Sequence, residues 1–374
     1  MKYIKGVDIS TLLEIEENGG CYFDFEGKKT EMFEFLKSCN INAVRLRLWN
    51  NPYDDKQNPY GAGTNDLEKT IILGKRAASA GMDILLDFHY SDFWADPGKQ
   101  FVPKAWRGHG IDELEKDVYL YTKEVMLALK KEGIVPFMVQ VGNELSNGLL
   151  WPIGKVPEYD NIHRLVAAGI KAVREVSPES RIMLHLDNGG NNELYRRWFD
   201  EYIRRGDDFD IIGLSYYPFW HGNFEALKAN MNDIALRYSK ELIIAEVSMG
   251  FSMEDYSRYE FPDGKGSGKG YATRRELVEK IEYPMTEEGQ SDFLKRLFDV
   301  IFQVPENRGR GFFYWEPGWI PVPGVGWATQ ASLEYINDPG PCGNEWANQA
   351  LFDYEGHALS GFKVIRDAEA GIIG

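Results

Sequence analysis

Two carboxylic acids and one amide stand where this sequence can do chemistry. Asn143 and Glu144 follow a short apolar run in residues 133–146, GIVPFMVQVGNELS. Gly133 closes a helical pattern and Pro136 forbids its continuation. Phe137, Met138, Val139 and Val141 then read as a strand buried on both faces. Residues 241–250, ELIIAEVSMG, have the same form, with Glu246 after the apolar run 242–245. A carboxyl at the tip of a buried strand is costly unless it has partners or a task. Two such groups facing each other across one gap can break a glycosidic bond. One must hold a proton for the leaving oxygen, and the other must be ionised to attack the anomeric carbon. Neighbours divide these roles by moving the two pKa values apart. Arg45 beside Glu246 would keep that group charged; apolar walls and a nearby negative charge would keep Glu144 protonated. Tyr217 is expected to hydrogen-bond Glu246, and Asn143 to hold a sugar hydroxyl. This scheme requires neither a metal nor a cofactor.

Placing those residues takes alternating strands and helices. Strand-like runs fall at 6–10 (GVDIS), 43–49 (AVRLRLW), 83–90 (DILLDFHY), the 133–146 stretch, 181–188 (RIMLHLDN), 210–218 (DIIGLSYYP), 241–247 and 311–317 (GFFYWEP). Helical patterns fill the intervals at 30–40, 66–81, 112–133, 161–176, 192–206, 224–240 and 286–305, with a last one over 356–370. Asp66 and Gly81 are start and stop signals, and Lys130 and Lys131 suit the negative end of the third helix. Eight strand–helix pairs predict an α/β fold, a (β/α)8 barrel; a doubly wound open sheet is the alternative that alternation alone leaves open. No linker or low-complexity tract interrupts the pattern, so residues 1–374 are read as one catalytic domain.

Segments after the strands are long and those before them short. Residues 91–110, 145–159, 248–285 and 318–349 would therefore gather at the C-terminal mouth, forming an open cleft where barrels of this kind carry their sites. Trp94, Trp106, Trp151, Trp220, Trp319, Trp327 and Trp346 lie in or beside such segments, and flat aromatic faces suit a sugar chain. Further polar residues fall at strand ends: Asp8, Arg47, His89, His185, Asp187, Tyr216 and Glu316.

The chain has 374 residues, 43% of them hydrophobic and 14% aromatic, enough for a large core, and a formal charge of -16. The negative field argues against nucleic acid or an acidic membrane surface as a partner and favours a neutral ligand. No apolar stretch is long enough for a membrane span. Three cysteines, Cys21, Cys39 and Cys342, have no zinc-like spacing. The opening MKYIKGVDIS lacks a signal-like apolar run, so the expectation is either a cytoplasmic protein acting on imported oligosaccharides or a secreted one whose signal has been removed.

Several stretches together resemble one family. These are GVDIS (6–10), VRLRLWNNPYD (44–54), LLDFHYSDFWADPGKQ (85–100), VPKAW (102–106), VQVGNELSNGLLWP (139–152), IGLSYYPFWHG (212–222), AEVSMGF (245–251), YWEPGWIPVPG (314–324) and NQALFD (348–353). They are similar to family 53 endo-β-1,4-galactanases, in a clan of retaining glycosidases with Asn-Glu after strand four and Glu after strand seven. The resemblance implies endo-hydrolysis of β-1,4-galactan, with Glu144 as acid/base and Glu246 as nucleophile. It implies Arg45, His89, Asn143, Tyr217 and Trp315 around the reacting sugar, and Trp94 and Trp319 are expected to bind substrate beside them. Some bacterial relatives hold calcium in the loop after strand seven. Here residues 263–270, DGKGSGKG, offer one aspartate among lysines and a serine, so no calcium is expected in that turn. A monomer is expected. The alternatives are a clan relative acting on another β-linked glycan such as glucan or mannan, or a sugar-binding barrel without catalysis.

Overall fold

Eight short strands, most of them rich in branched apolar residues, close into a parallel barrel. They are β1 (Ile4–Asp8), β2 (Ala43–Leu48), β3 (Asp83–Phe88), β4 (Met138–Val141), β5 (Arg181–Leu186), β6 (Ile211–Tyr216), β7 (Glu241–Val247) and β8 (Gly309–Trp315). Each pairs in parallel with its sequence neighbours, and β8 pairs with β1 to complete the ring. A computed structural model describes residues 3–254, 256–260 and 274–368. Closure excludes the open-sheet alternative. The turn at 263–270 lies outside the described residues.

The helices pack outside: α1 (Met32–Ser38), α2 (Leu67–Ala80), α3 (Ile111–Lys131), α4 (Tyr159–Val176), α5 (Asn192–Ile203), α6 (Phe224–Tyr238), α7 (Glu287–Phe302) and α8 (Gly361–Asp367). The Asp66 side chain accepts from Lys69 N, capping α2, and Gly81 ends it at φ 73°. Among the described residues, no helix is long and apolar enough to cross a membrane.

Strand alternation splits the core in two. Val44, Leu46 and Leu48 of β2 face the helices and join the large outer core. Ala43 faces inward with Ile4, Leu85, Met138, Met183, Ile211, Ile243, Ala245 and Phe313, which fill the barrel floor. A Cβ on Gly6 would stand 2.3 Å from the Phe313 ring, so the glycine makes room for that ring. Two or four residues further along β1 to β6, the inward positions turn polar: Asp8, Arg45, Asp87, Gln140, His185 and Ser215, all buried. The same period-2 pattern that fills the floor thus builds a polar ceiling at the C-terminal end.

Glu246 breaks this alternation. Ile243 and Ala245 both face inward, which would send Glu246 out toward the helices. Between β6 and β7 the register jumps from Leu214↔Ile244 to Ser215↔Glu246, making Ala245 the extra residue of a bulge. A bulge re-aims the side chain after it, and here Glu246 turns into the barrel mouth.

Candidate active site

Asn143 and Glu144 owe their position to a sharp exit from β4. Gly142 has φ 89°, and Glu144 follows in the left-handed region at φ 47°. A non-glycine residue there costs about 1–2 kcal/mol, so the surroundings must hold it. Gln100 Nε2 donates to Asn143 O at 2.8 Å, and Trp198 Nε1 donates to Leu145 O at 2.7 Å. Ser215 Oγ lies 2.6 Å from Glu144 Oε1. Among the described residues, no hydrogen-bond partner meets Oε2.

Arg45 organises the opposite wall. Its guanidinium contacts Asp8, Asp87 and Glu246, each at 2.8 Å, and also donates to Asn143 Oδ1 at 2.9 Å. Burial opposes its charge, but Asp87, Glu246 and Asp8 together keep it protonated. Tyr217 donates to Glu246 Oε2 at 2.8 Å. One Glu246 oxygen is thus in ion-pair contact with Arg45 and the other accepts from Tyr217.

The expected charge on Glu246 needs one amendment. Burial is the largest influence and holds it above the ordinary carboxylate range, although Arg45 and Tyr217 pull it down. Glu144 is pushed well above that range, first by burial, then by the negative charges of Glu246 and Asp187. Among the described residues no cation touches Glu144, so of the two acids Glu144 keeps its proton longer.

Both carboxyls line one cavity of about 910 Å³. Ser215 joins them locally, as the register partner of Glu246 and a hydrogen-bond partner of Glu144. Adjacent strands run about 4.8 Å apart, so Glu246 stands one strand spacing from Ser215, whose hydroxyl reaches Glu144. His89, Asn143, Tyr217, Trp315 and Trp94 line the cavity too. His89 Nδ1 accepts from Trp49 Nε1 and Ala95 N, leaving Nε2 to donate to Asp87 at 3.0 Å. Asn143 Nδ2 gives one hydrogen to Ala95 O at 2.8 Å, and among the described residues its second meets no acceptor and can meet a ligand.

Other sequence candidates sit elsewhere. Arg45 is fully buried beneath the cavity. Trp319 is fully buried too, behind Trp94 and Trp315, with ring centroids 6.4 and 5.7 Å away, so it supports them without facing the cleft. Trp220, Trp327 and Trp346 line the cavity, while Trp106 and Trp151 line a separate groove. Tyr216 faces outward, its ring parallel to Phe293 of α7.

Several site residues went unnoticed in the sequence: Asp87, Gln140, Ser215 and Asp96. Asp87 and Gln140 are polar residues inside apolar strands, and Ser215 stands two positions before Tyr217, so alternation was the available signal. A second ion pair backs the wall. Arg47 meets Glu316 at 2.6 Å and lies 4.4 Å from the centroid of the Trp94 ring, fixing the slope of that indole. Burial pushes Glu316 up to about 7 despite Arg47.

The model of glycosyl hydrolase family 53 matches residues 4–365. The endo-beta-1,4-galactanase of Bacillus subtilis (strain 168) is 36% identical, over 99% of this chain and 87% of that protein. The GH53 catalytic domain of Ignisphaera aggregans superposes with a TM-score of 0.89 at 36% identity, covering 98% of this chain and 96% of that one. A structure from a study of two fungal beta-1,4-galactanases gives a TM-score of 0.77 at 31% identity, covering 98% and 100%.

Proposed function

This chain belongs to glycosyl hydrolase family 53, and from that premise we propose that it is an endo-acting glycosidase cleaving β-1,4-galactosidic bonds in galactan and type I arabinogalactan by a retaining double displacement. One observation carries the mechanism: two buried carboxyls share a cleft, one gripped by a cation and a phenol, the other, among the described residues, met by no cation. Glu246, ionised between Arg45 and Tyr217, attacks the anomeric carbon. Glu144 gives its proton to the departing oxygen as the C–O bond breaks. In the second half, water attacks the same carbon, Glu144 takes its proton, and the bond to Glu246 breaks. Arg45 acts by holding Glu246 and Asn143 in place. The second N–H of Asn143 is aimed at a hydroxyl of the reacting sugar, and Trp94 and Trp315 offer flat faces to the chain.

Galactan as substrate is supported by the endo-beta-1,4-galactanase name of the Bacillus subtilis relative, and a neutral polysaccharide suits a protein of charge -16. All the residues invoked come from one chain, so a monomer suffices. The test is a time course on linear galactan with product sizes and anomers read by NMR. Internal cleavage with β-anomers formed first is expected. First-formed α-anomers, or cleavage of glucan or mannan but not galactan, would overturn the reading.

A further inference from the structure

We propose that Ser215 and His185 are positioning residues for the proton on Glu144: His185 donates from Nε2 to Ser215, Ser215 donates to Glu144 Oε1, and the proton to be given away is kept on Oε2. The inference rests on Glu144 as the acid.

Ser215 Oγ is buried, with Glu144 Oε1 at 2.6 Å and His185 Nε2 at 2.9 Å. A hydroxyl has a single hydrogen, so it donates to only one of these neighbours. If it donated to His185, Oε1 would have to carry the Glu144 proton and spend it on Ser215, away from the leaving oxygen. Presenting the proton at Oε2 requires Ser215 to donate to Oε1, and therefore to accept from His185.

The far side of the imidazole permits this. Nδ1 lies 3.1 Å from Gln140 Nε2, a donor. Asn143 Oδ1, 3.0 Å away, already accepts from Arg45 Nη2 at 2.9 Å and has Gln140 Nε2 at the same distance. Gln140 Nε2 has two hydrogens: one goes to Asp87 at 2.6 Å, and the other is shared between Asn143 Oδ1 and His185 Nδ1, so a bare Nδ1 meets a donor. The Gln140 amide is fixed in turn, since its Oε1 accepts from Arg45 Nε at 3.3 Å and its Nε2 donates to Asp87 at 2.6 Å. Burial keeps the imidazole uncharged, helped by Arg45, His89 and His221. His185 thus sets a direction without adding a charge. The groups facing Glu144 itself are Glu246, Asp187 and Asp96, all acidic.

The same orientation serves both half-reactions. When Oε2 has given its proton to the glycosidic oxygen, the Ser215 bond to Oε1 remains as a charge-assisted one. Oε2 is then bare, ready for the proton of the attacking water. No hydroxyl has to turn between the steps.

Nitrogen-15 NMR on histidine-labelled protein reads the tautomer directly, with His185 assigned by its loss in His185→Gln. The expected spectrum has His185 neutral, protonated on Nε2 and bare on Nδ1, throughout the active pH range. An Nδ1-protonated or charged ring would overturn the proposal. Kinetics supply a second reading. In Ser215→Ala, kcat on galactan should fall about 10–100-fold with little change in KM, since acid assistance is weakened and not abolished. The loss should be smaller on an aryl galactoside with a good leaving group. The Ser215 bond favours ionised Glu144, so the basic limb of kcat/KM should move to higher pH, and Ser215→Thr should restore its position. An unmoved limb with equal losses on both substrates would overturn the proposal. A Glu144→Gln variant that still cut galactan at full rate would instead sink the acid assignment, whereas the NMR result does not depend on activity.

Discussion

Replacing Tyr217 by Phe removes one hydrogen and leaves the rest of the site in place. The ring packs between Trp220, His221, Trp315 and Trp346, with centroids 5.5 to 6.4 Å away, and Phe keeps those contacts. The lost bond is the 2.8 Å donation to Glu246 Oε2. A hydrogen bond to a charged group contributes about 1.5–3 kcal/mol, and ~1.4 kcal/mol corresponds to one pKa unit. The bond favours ionised Glu246, so its loss raises the Glu246 pKa by about 1–2 units. Attack requires the ionised form. The acid limb of kcat/KM on linear galactan should therefore move upward by about 1–2 pH units, with the largest loss of activity on the acid side. Tyr216→Phe is the control, because that hydroxyl donates to Gly222 O on the outer side of β6. An acid limb that stays put in Tyr217→Phe, or moves equally in both variants, would refute the role given to this phenol.

Other outcomes follow from the same structure. Glu246→Ala should lose turnover and regain it with azide, giving a product of inverted configuration. Glu144→Ala should slow galactan far more than an activated aryl galactoside, and equal losses would count against it as the acid. Glu14 is pushed up to about 7 by burial, although Gly63 N donates to it. An acid with a raised folded pKa binds its proton more tightly when folded, so stability is lost as pH rises from about 4.3 to about 7. Glu14→Gln should thus stabilise the protein by about 1–2 kcal/mol above neutral pH and by little in acid, as read by urea titration at both. Gly142→Ala would force φ 89° on a side chain and set its Cβ 2.6 Å from Leu145 Cδ2. A cost of about 1–3 kcal/mol is expected in thermal melts, with a fall in kcat from displaced Glu144.

Much of the barrel was legible because the strands bury both faces and so read as short, largely apolar runs. Ends were less legible. The third strand was expected to reach Tyr90 but stops at Phe88, since Tyr90 takes φ 51° and turns the chain away. The fifth helix was expected to reach Gly206 and ends at Ile203. The pairing of Arg45 and Tyr217 with Glu246 was legible from side-chain chemistry and strand ends. The bulge that aims Glu246 inward was not, because it arises from register between β6 and β7, and no single segment encodes that. Trp319 shows a similar limit: residue type says that an indole is near the mouth, while burial behind Trp94 depends on how loops from different strands meet. Ser215 was overlooked for the opposite reason, since a lone serine in a strand carries little signal until its neighbours are known.

The division of labour between the two acids is open to direct trapping. A galactosyl fluoride bearing fluorine at carbon 2 slows both steps and, with its good leaving group, accumulates the glycosyl-enzyme. Peptide mass spectrometry should then find the sugar on Glu246, and Glu144→Gln should still be labelled because the leaving fluoride needs little acid help. A sugar attached to Glu144, or steady turnover to the inverted product with no labelled peptide, would contradict the account.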